Sequence, residues 1–209
     1  MLIHWIWLAT RPGVSDRQKK LLLESFDDPE DIYFAEANAY ACVEGLTEDA
    51  VAALADKNLA EANRILKECM QKGIHICTFH DAAYPSRLKN IIDPPIVLYY
   101  KGILPDLDGS PVIAVVGTRN MTSYGARVAE DFAMRLSVCG ATVISGLAKG
   151  IDTCAHRGAF RAESYTIGVL GTPIDEIYPK ENARAFHALY KSGLVISEMY
   201  PGCKRTRGD

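Results

Sequence analysis

Between residues 112 and 198, short apolar runs alternate with amphipathic stretches. The apolar runs, near residues 112–117, 142–146, 165–170 and 194–198, are rich in β-branched side chains. The stretches between them, such as Ala126–Cys139 and Ala183–Lys191, repeat apolar residues at helical spacing. Strands that are apolar on both faces and alternate with helices are typical of a parallel sheet. We therefore predict an α/β fold: a Rossmann-like, mostly parallel sheet with helices on both faces.

The first 72 residues are predicted to be mostly helical. Ser15 and Gln18 have the spacing of a capping box, and Thr47 has the position of an N-cap before Glu48–Ala55. We also predict helices over residues 32–40 and 59–72. Short helices separated by turns suggest a small module of the sterile-alpha-motif (SAM) or helix-hairpin-helix kind. This module is acidic, which favours a packing or partner role over contact with nucleic acid.

Two further short strands, residues 73–79 and 96–100, precede the α/β region. The segment Pro105–Pro111 (PDLDGSP) is the boundary that we predict, because its residues favour turns. We thus expect a helical module over residues 1–72, a strand-containing linker over 73–110 and the Rossmann-like domain over 111–209.

Charge is distributed unevenly along the 209 residues. The net charge is −3, but residues 1–110 carry 11 Lys and Arg against 17 Asp and Glu, whereas residues 111–209 carry 12 against 9. A polyanion should therefore meet the second half of the chain. The apolar start, MLIHWIWLAT, is too short to span a membrane and has no basic leader. We expect a cytoplasmic protein with reduced cysteines and no membrane contact.

Small residues and cations follow the predicted strands. Gly117-Thr118-Arg119 follows the first strand, and Ser145-Gly146-Leu147-Ala148-Lys149-Gly150 follows the second. Ligands of such sheets bind beyond the carboxyl ends of the strands, where helix N-termini favour anions. Arg119 could grip a phosphate with its planar fork of donors, or it could pair with a nearby carboxylate. The sequence predicts an anion site here.

Known nucleotide motifs do not match this region. The loop reads G-T-R-N-M-T-S-Y-G, so Arg119 replaces the second glycine of a dinucleotide fingerprint, and the chain has no P-loop sequence. Asp152 and His156 share a helix face and could act as acid and base or bind a metal, but a structural role is favoured because an anion in the first turn stabilises a helix. We expect no catalytic set, metal or cofactor.

Four long motifs carry a resemblance to a known family. GTRNMTSYG, SGLAKGIDTCAHRGA, TIGVLGTPIDEIYPKEN and GLVISEMYPG occur in this order. Together with YPSRLKNIIDPPIVLYYKG, they closely resemble the DNA-processing protein A family (DprA, or Smf). The resemblance implies a dimeric protein that binds single-stranded DNA during DNA uptake and natural transformation and helps to load the recombinase RecA. It implies no enzymatic activity.

The resemblance also implies roles for individual residues. Arg119 would clamp a phosphate, with backbone approach at Gly117 and Thr118. The other implied contacts are Ser145, Gly146, Lys149 and Gly150 on the second side, Gly171 and Thr172 on the floor, and Lys180 at the backbone.

One departure concerns the end of the chain. The family continues after the fourth strand with F-P-x-R-N-R-I-I, and this chain ends at residues 203–209 where that segment should begin. We expect the later strands of the family's sheet to be missing and DNA binding to be weakened.

Two alternatives come from other functional classes. A phosphoribohydrolase on a related fold would carry P-G-G-x-G-T-x-x-E, of which this chain has only Gly171-Thr172. A protein–protein scaffold would act through the acidic helical module, and its partner binding would survive mutation of Arg119.

Overall fold

The computed structural model describes residues 1–204. The elements, in chain order, are α1 (Leu2–Ala9), α2 (Asp16–Ser25), α3 (Pro29–Phe34), α4 (Ala37–Ala41), α5 (Glu48–Ala55), α6 (Ala60–Lys72), β1 (His75–Thr78), α7 (Ser86–Lys89), β2 (Val97–Gly102), β3 (Val112–Ala114), α8 (Ser123–Val138), β4 (Thr142–Ser145), α9 (Ile151–Arg161), β5 (Thr166–Leu170), a 3-10 helix (Lys180–Asn182), α10 (Ala183–Ser192) and β6 (Leu194–Ser197). The final residues of the chain, 205–209, lie outside this description, and so does most of the segment in which the family's next motif was expected.

The chain forms two compact units. Unit 1 comprises residues 1–72 and 76–98, and unit 2 comprises residues 73–75 and 99–209. The three-part division predicted from the sequence stays a prediction. No helix within residues 1–204 combines the length and the apolar character needed to cross a membrane.

Unit 1 is built around α1. The helix is apolar on nearly every side, and Ile6, Trp7 and Leu8 are completely buried, as expected for a helix without a polar face. The predicted capping box is confirmed. The backbone N–H of Gln18 donates to Ser15 Oγ, and the backbone N–H of Ser15 donates to the side-chain Oε1 of Gln18. Thr47 likewise caps α5.

The helix predicted over residues 32–40 is divided into α3 and α4. Ala35 and Glu36 are extended between them. The buried Tyr40 hydroxyl donates to the carbonyls of Ile32 and Ala35, so a tertiary contact satisfies carbonyls that a continuous helix would use internally. The assignment of unit 1 to the SAM or helix-hairpin-helix kind stays a prediction.

Within residues 1–204, six strands form one mixed sheet in the order β1-β2-β6-β5-β4-β3. Strands β3, β4, β5 and β6 are parallel neighbours, and β2 pairs antiparallel with β6. The predicted α/β class with a mostly parallel sheet is confirmed. The bounds of β4, β5 and β6 lie within one residue of the predicted ones, whereas β3 ends three residues earlier than predicted, at Ala114.

Helices α8, α9 and α10 pack on one face of the parallel strands. Val143 of β4 contacts alanines of α8 and α9, and β5 turns Thr166 towards His156 of α9 and Gly168 towards Leu189 of α10. These three crossover helices therefore share one face of the sheet. The reason is topological: each right-handed crossover advances in the same direction across the sheet.

Candidate functional site

A cleft of about 540 Å³ lies at the carboxyl ends of the parallel strands in unit 2. We call it the strand-end cleft. The predicted site residues Arg119, Gly146, Lys149, Gly171 and Thr172 line it, together with Ala148, Leu170, Tyr178 and Pro179. The predicted residues Gly117, Thr118, Ser145, Gly150 and Lys180 are not among its lining residues, although they lie in the same loops or directly beside them.

Gly117 and Gly150 bring the first two loops together. A side chain at Gly117 would collide with Ile151, 2.7 Å from its Cγ1. Gly150 has φ +87°, and a side chain there would run into the Thr118 carbonyl oxygen and lie 2.9 Å from the Arg119 Cα. These glycines therefore permit loop packing that places Arg119. The predicted approach of a ligand to their backbone stays a prediction.

Two hydrogen bonds hold the start of the loop between β4 and α9 in place. Ser145 is buried, and its hydroxyl donates to the Val115 carbonyl at 2.7 Å. The Gly146 amide donates to the buried Asp152 carboxylate at 3.1 Å, so this amide is already used within the fold. Asp152, in the first turn of α9, therefore positions the loop as well as stabilising the helix N-terminus.

His156 is similarly engaged within the fold. The Thr166 hydroxyl donates to the Val143 carbonyl, so Thr166 Oγ1 can only accept from His156 Nδ1, 3.0 Å away. The ring proton is thus on Nδ1. Burial lowers the pKa of His156 to about 4, which keeps the imidazole neutral at physiological pH. Asp152 and His156 hold different parts of the structure, and no group of three or more metal-ligating side chains occurs within residues 1–204.

The cations of the strand-end cleft differ in how freely they can meet a ligand. Lys149 Nζ lies 2.8 Å from Glu181 Oε1 at an exposed ion pair. This hydrogen bond raises the pKa of Lys149 and lowers the pKa of Glu181. Arg119 is exposed, and among residues 1–204 no carboxylate lies within ion-pair distance of it. The carboxylate pairing that the sequence left open is thus not formed within that range.

Tyr178 is the functional candidate that the sequence reasoning missed. It is 51% exposed and lies on the wall of the strand-end cleft beside Pro179. An exposed aromatic ring next to cations is what unpaired bases stack upon. The signal was available: Tyr178 immediately precedes the Pro179-Lys180 step, in the loop after a buried strand. Thr122, which caps α8 through the Gly125 amide, was also missed.

Residues 75–209 match the family model described as DNA recombination-mediator protein A. Protein Smf of Synechocystis is 34% identical over 210 residues, covering 99% of this chain and 53% of that protein. DNA processing protein DprA of Bacillus subtilis is 35% identical over 164 residues, covering 76% of this chain and 55% of that protein. The chain thus spans about half the length of these relatives.

Solved structures agree with this result. The structure of DNA processing protein A from Streptococcus pneumoniae matches with a TM-score of 0.78 and 30% identity, over 99% of this chain and 71% of that one. The Helicobacter pylori protein, which has a described single-stranded DNA binding mode, matches with a TM-score of 0.56 and 29% identity, over 64% of this chain and 60% of that one. The family model covers well over half of the chain. This chain therefore belongs to the DNA recombination-mediator protein A family, whose members include the proteins named DprA and Smf.

Proposed function

We propose that this chain binds single-stranded DNA through the strand-end cleft, as part of DNA processing during natural transformation. The observation that carries the proposal is the exposed Arg119, which has no carboxylate partner within residues 1–204 and lies on a cleft with Lys149 and Tyr178. A guanidinium fork matches two phosphate oxygens, and the aromatic ring offers a stacking surface to a base.

The proposed role is binding rather than catalysis. Asp152 and His156, the acid–base pair considered from the sequence, are both buried and hydrogen-bonded inside the fold. The cleft offers cations, an aromatic ring and small residues, which suit a strand backbone. Contacts of this kind position a strand without reading its sequence, and they weaken as salt rises.

For the whole protein we propose three further properties that follow from family membership: assembly as a homodimer, transfer of the bound strand to the RecA recombinase, and a cytoplasmic location. Light scattering of the purified chain tests the dimer. RecA assembly on a strand already coated with single-strand-binding protein tests the transfer.

The experiment that tests the binding site is fluorescence anisotropy with a labelled single-stranded oligonucleotide. We expect the wild type to bind at low salt, and Arg119→Ala to bind at least about tenfold more weakly because a charge-assisted phosphate contact is lost. Arg135→Ala is the matched control: Arg135 is 74% exposed on α8, and its ion pair with Asp131 lies outside the strand-end cleft. Equal binding by Arg119→Ala and wild type would show that the cleft is not the site.

A further inference from the structure

Two more clefts lie on the helical side of unit 2. The first, of about 500 Å³ between α9 and α10, is lined by Arg157, Phe160 and Arg184 among others. The second, of about 310 Å³ between α8 and α9, is lined by Arg127 and again by Arg157. Because one arginine borders both, the two clefts are neighbours on the same surface. We call them together the α9 clefts.

The α9 clefts adjoin the strand-end cleft. Glu181 lines the first of them, and its carboxylate pairs with Lys149 of the strand-end cleft at 2.8 Å. Asn182, which lines the same cleft, donates from Nδ2 to the carbonyl of Ala148 at 3.1 Å, and Ala148 lines the strand-end cleft. A single exposed ion pair and one buried amide therefore separate the two sites.

The carboxylates around the α9 clefts are already paired. Glu130 pairs with Arg161 at 2.9 Å, Glu181 pairs with Lys149, and Asp131 pairs with Arg135 at 2.8 Å.

By contrast, Arg127, Arg157 and Arg184 are exposed, and within residues 1–204 none of them has a carboxylate at ion-pair distance. The neighbouring His156 is buried and neutral and adds no charge. The surface of the α9 clefts is thus positive because of its arginines alone.

We propose that the α9 clefts form a second subsite for single-stranded DNA, along which a strand leaving the strand-end cleft continues over Arg184, Arg157 and Arg127. This inference rests on the proposed function, since it uses the same ligand. Three guanidinium groups without carboxylate partners at ion-pair distance can each contact a phosphate of the same strand. Phe160, which is partly buried between the helices, gives the first cleft an apolar wall against which a base can pack.

The test compares a short and a long strand. Labelled oligothymidylates of about 4 and about 20 nucleotides are used, because a single OB fold covers about 4 to 16 nucleotides. The short strand is chosen to fill the strand-end cleft alone and the long one to reach both subsites. The variant is Arg157→Ala/Arg184→Ala. Its matched control, Arg17→Ala/Lys67→Ala, removes the same charge from exposed positions of unit 1. Circular dichroism verifies the fold of both variants.

We expect the Arg157→Ala/Arg184→Ala variant to bind the long strand about tenfold more weakly than wild type, while its affinity for the short strand changes less than about twofold. The slope of log affinity against log salt on the long strand should fall by about 1.4, which is about 0.7 for each lost phosphate contact. The control variant should match wild type on both strands.

Other outcomes overturn the proposal. If the variant binds the long strand like wild type, the DNA does not pass over the α9 clefts. If it weakens the short and long strands equally, these arginines belong to the first site and there is no second one. The strand-end cleft is judged separately by the effect of Arg119→Ala on the short strand, and failure of wild type to bind that strand would remove both proposals.

Discussion

The two units use their cations differently. In unit 1, several cations are part of the internal structure. Arg11 is buried and donates to the Trp7 and Asp56 carbonyls and to the Asp56 carboxylate. Lys57 lies about 5 Å from the ring centres of three aromatic residues, and burial lowers its pKa to about 8. In unit 2, Arg119, Arg157 and Arg184 are exposed and lack carboxylate partners within residues 1–204.

This difference shows why counting charges is a weak guide to function. An arginine that already has hydrogen-bond partners contributes to folding, because removing it leaves those partners unsatisfied. An exposed arginine without partners contributes little to folding and remains available to an external anion. Substitutions at the two kinds of cation should therefore have opposite effects on folding and on binding.

The largest change in the free energy of unfolding should come from a substitution in the loop packing that places Arg119. Gly150→Ala should lower the free energy of unfolding by about 3 kcal/mol or more, because the new side chain is strained at positive φ and also collides with the Thr118 backbone. Urea denaturation measures this.

Gly140→Ala is the matched control for that change. Gly140 has φ +84°, but a side chain there would meet nothing within 4 Å, so we expect a loss of only about 1 kcal/mol. Equal losses at the two glycines would mean that the loop relaxes freely and does not fix the position of Arg119.

A smaller change in the free energy of unfolding should distinguish a buried, hydrogen-bonded arginine from an exposed one without partners. Arg11→Ala should cost about 2 kcal/mol of unfolding free energy, since three hydrogen bonds are lost and buried carbonyls are left with fewer donors. Arg119→Ala should change it by less than about 0.5 kcal/mol, as is usual at an exposed position. If Arg119→Ala destabilises the chain as much as Arg11→Ala, Arg119 has a structural role that contradicts our comparison.

The smallest effect concerns the ion pair beside the strand-end cleft. Glu181→Gln removes a negative charge and releases Lys149, so affinity for a single strand should rise about threefold at low salt, in line with the modest strength of an exposed pair. Anisotropy titrations at low and high salt measure this, and the gain should vanish at high salt. Weaker binding by Glu181→Gln would mean that the pair itself helps to hold the ligand.

Local sequence signals predicted the strands and caps because each depends on neighbouring residues. The β-branched runs at β3 to β6 and the Ser15–Gln18 box follow from spacing alone. The break between α3 and α4 did not follow, because the Tyr40 hydroxyl that satisfies the Ile32 carbonyl becomes visible only in three dimensions. The bounds of α1 also did not follow from the sequence, because its apolar run has no period that distinguishes a helix from a strand.

The candidate site was predictable in part for similar reasons. Strand ends meet at one edge of a parallel sheet, so Arg119, Lys149 and Gly171 could be grouped from the sequence. Which glycines face a ligand could not be deduced, since Gly117 packs against Ile151. The partners of the cations were also beyond reach, because Glu181 pairs with Lys149 across 32 positions of the chain.

Hydrogen–deuterium exchange with and without a short single-stranded oligonucleotide tests the central claim most directly, because it reports both units in one experiment. We predict slower exchange of peptides covering residues 117–122 and 145–151, with no change in residues 1–72. Protection confined to residues 1–72, with the loops after β3 and β4 unaffected, would contradict the account and assign the binding to unit 1.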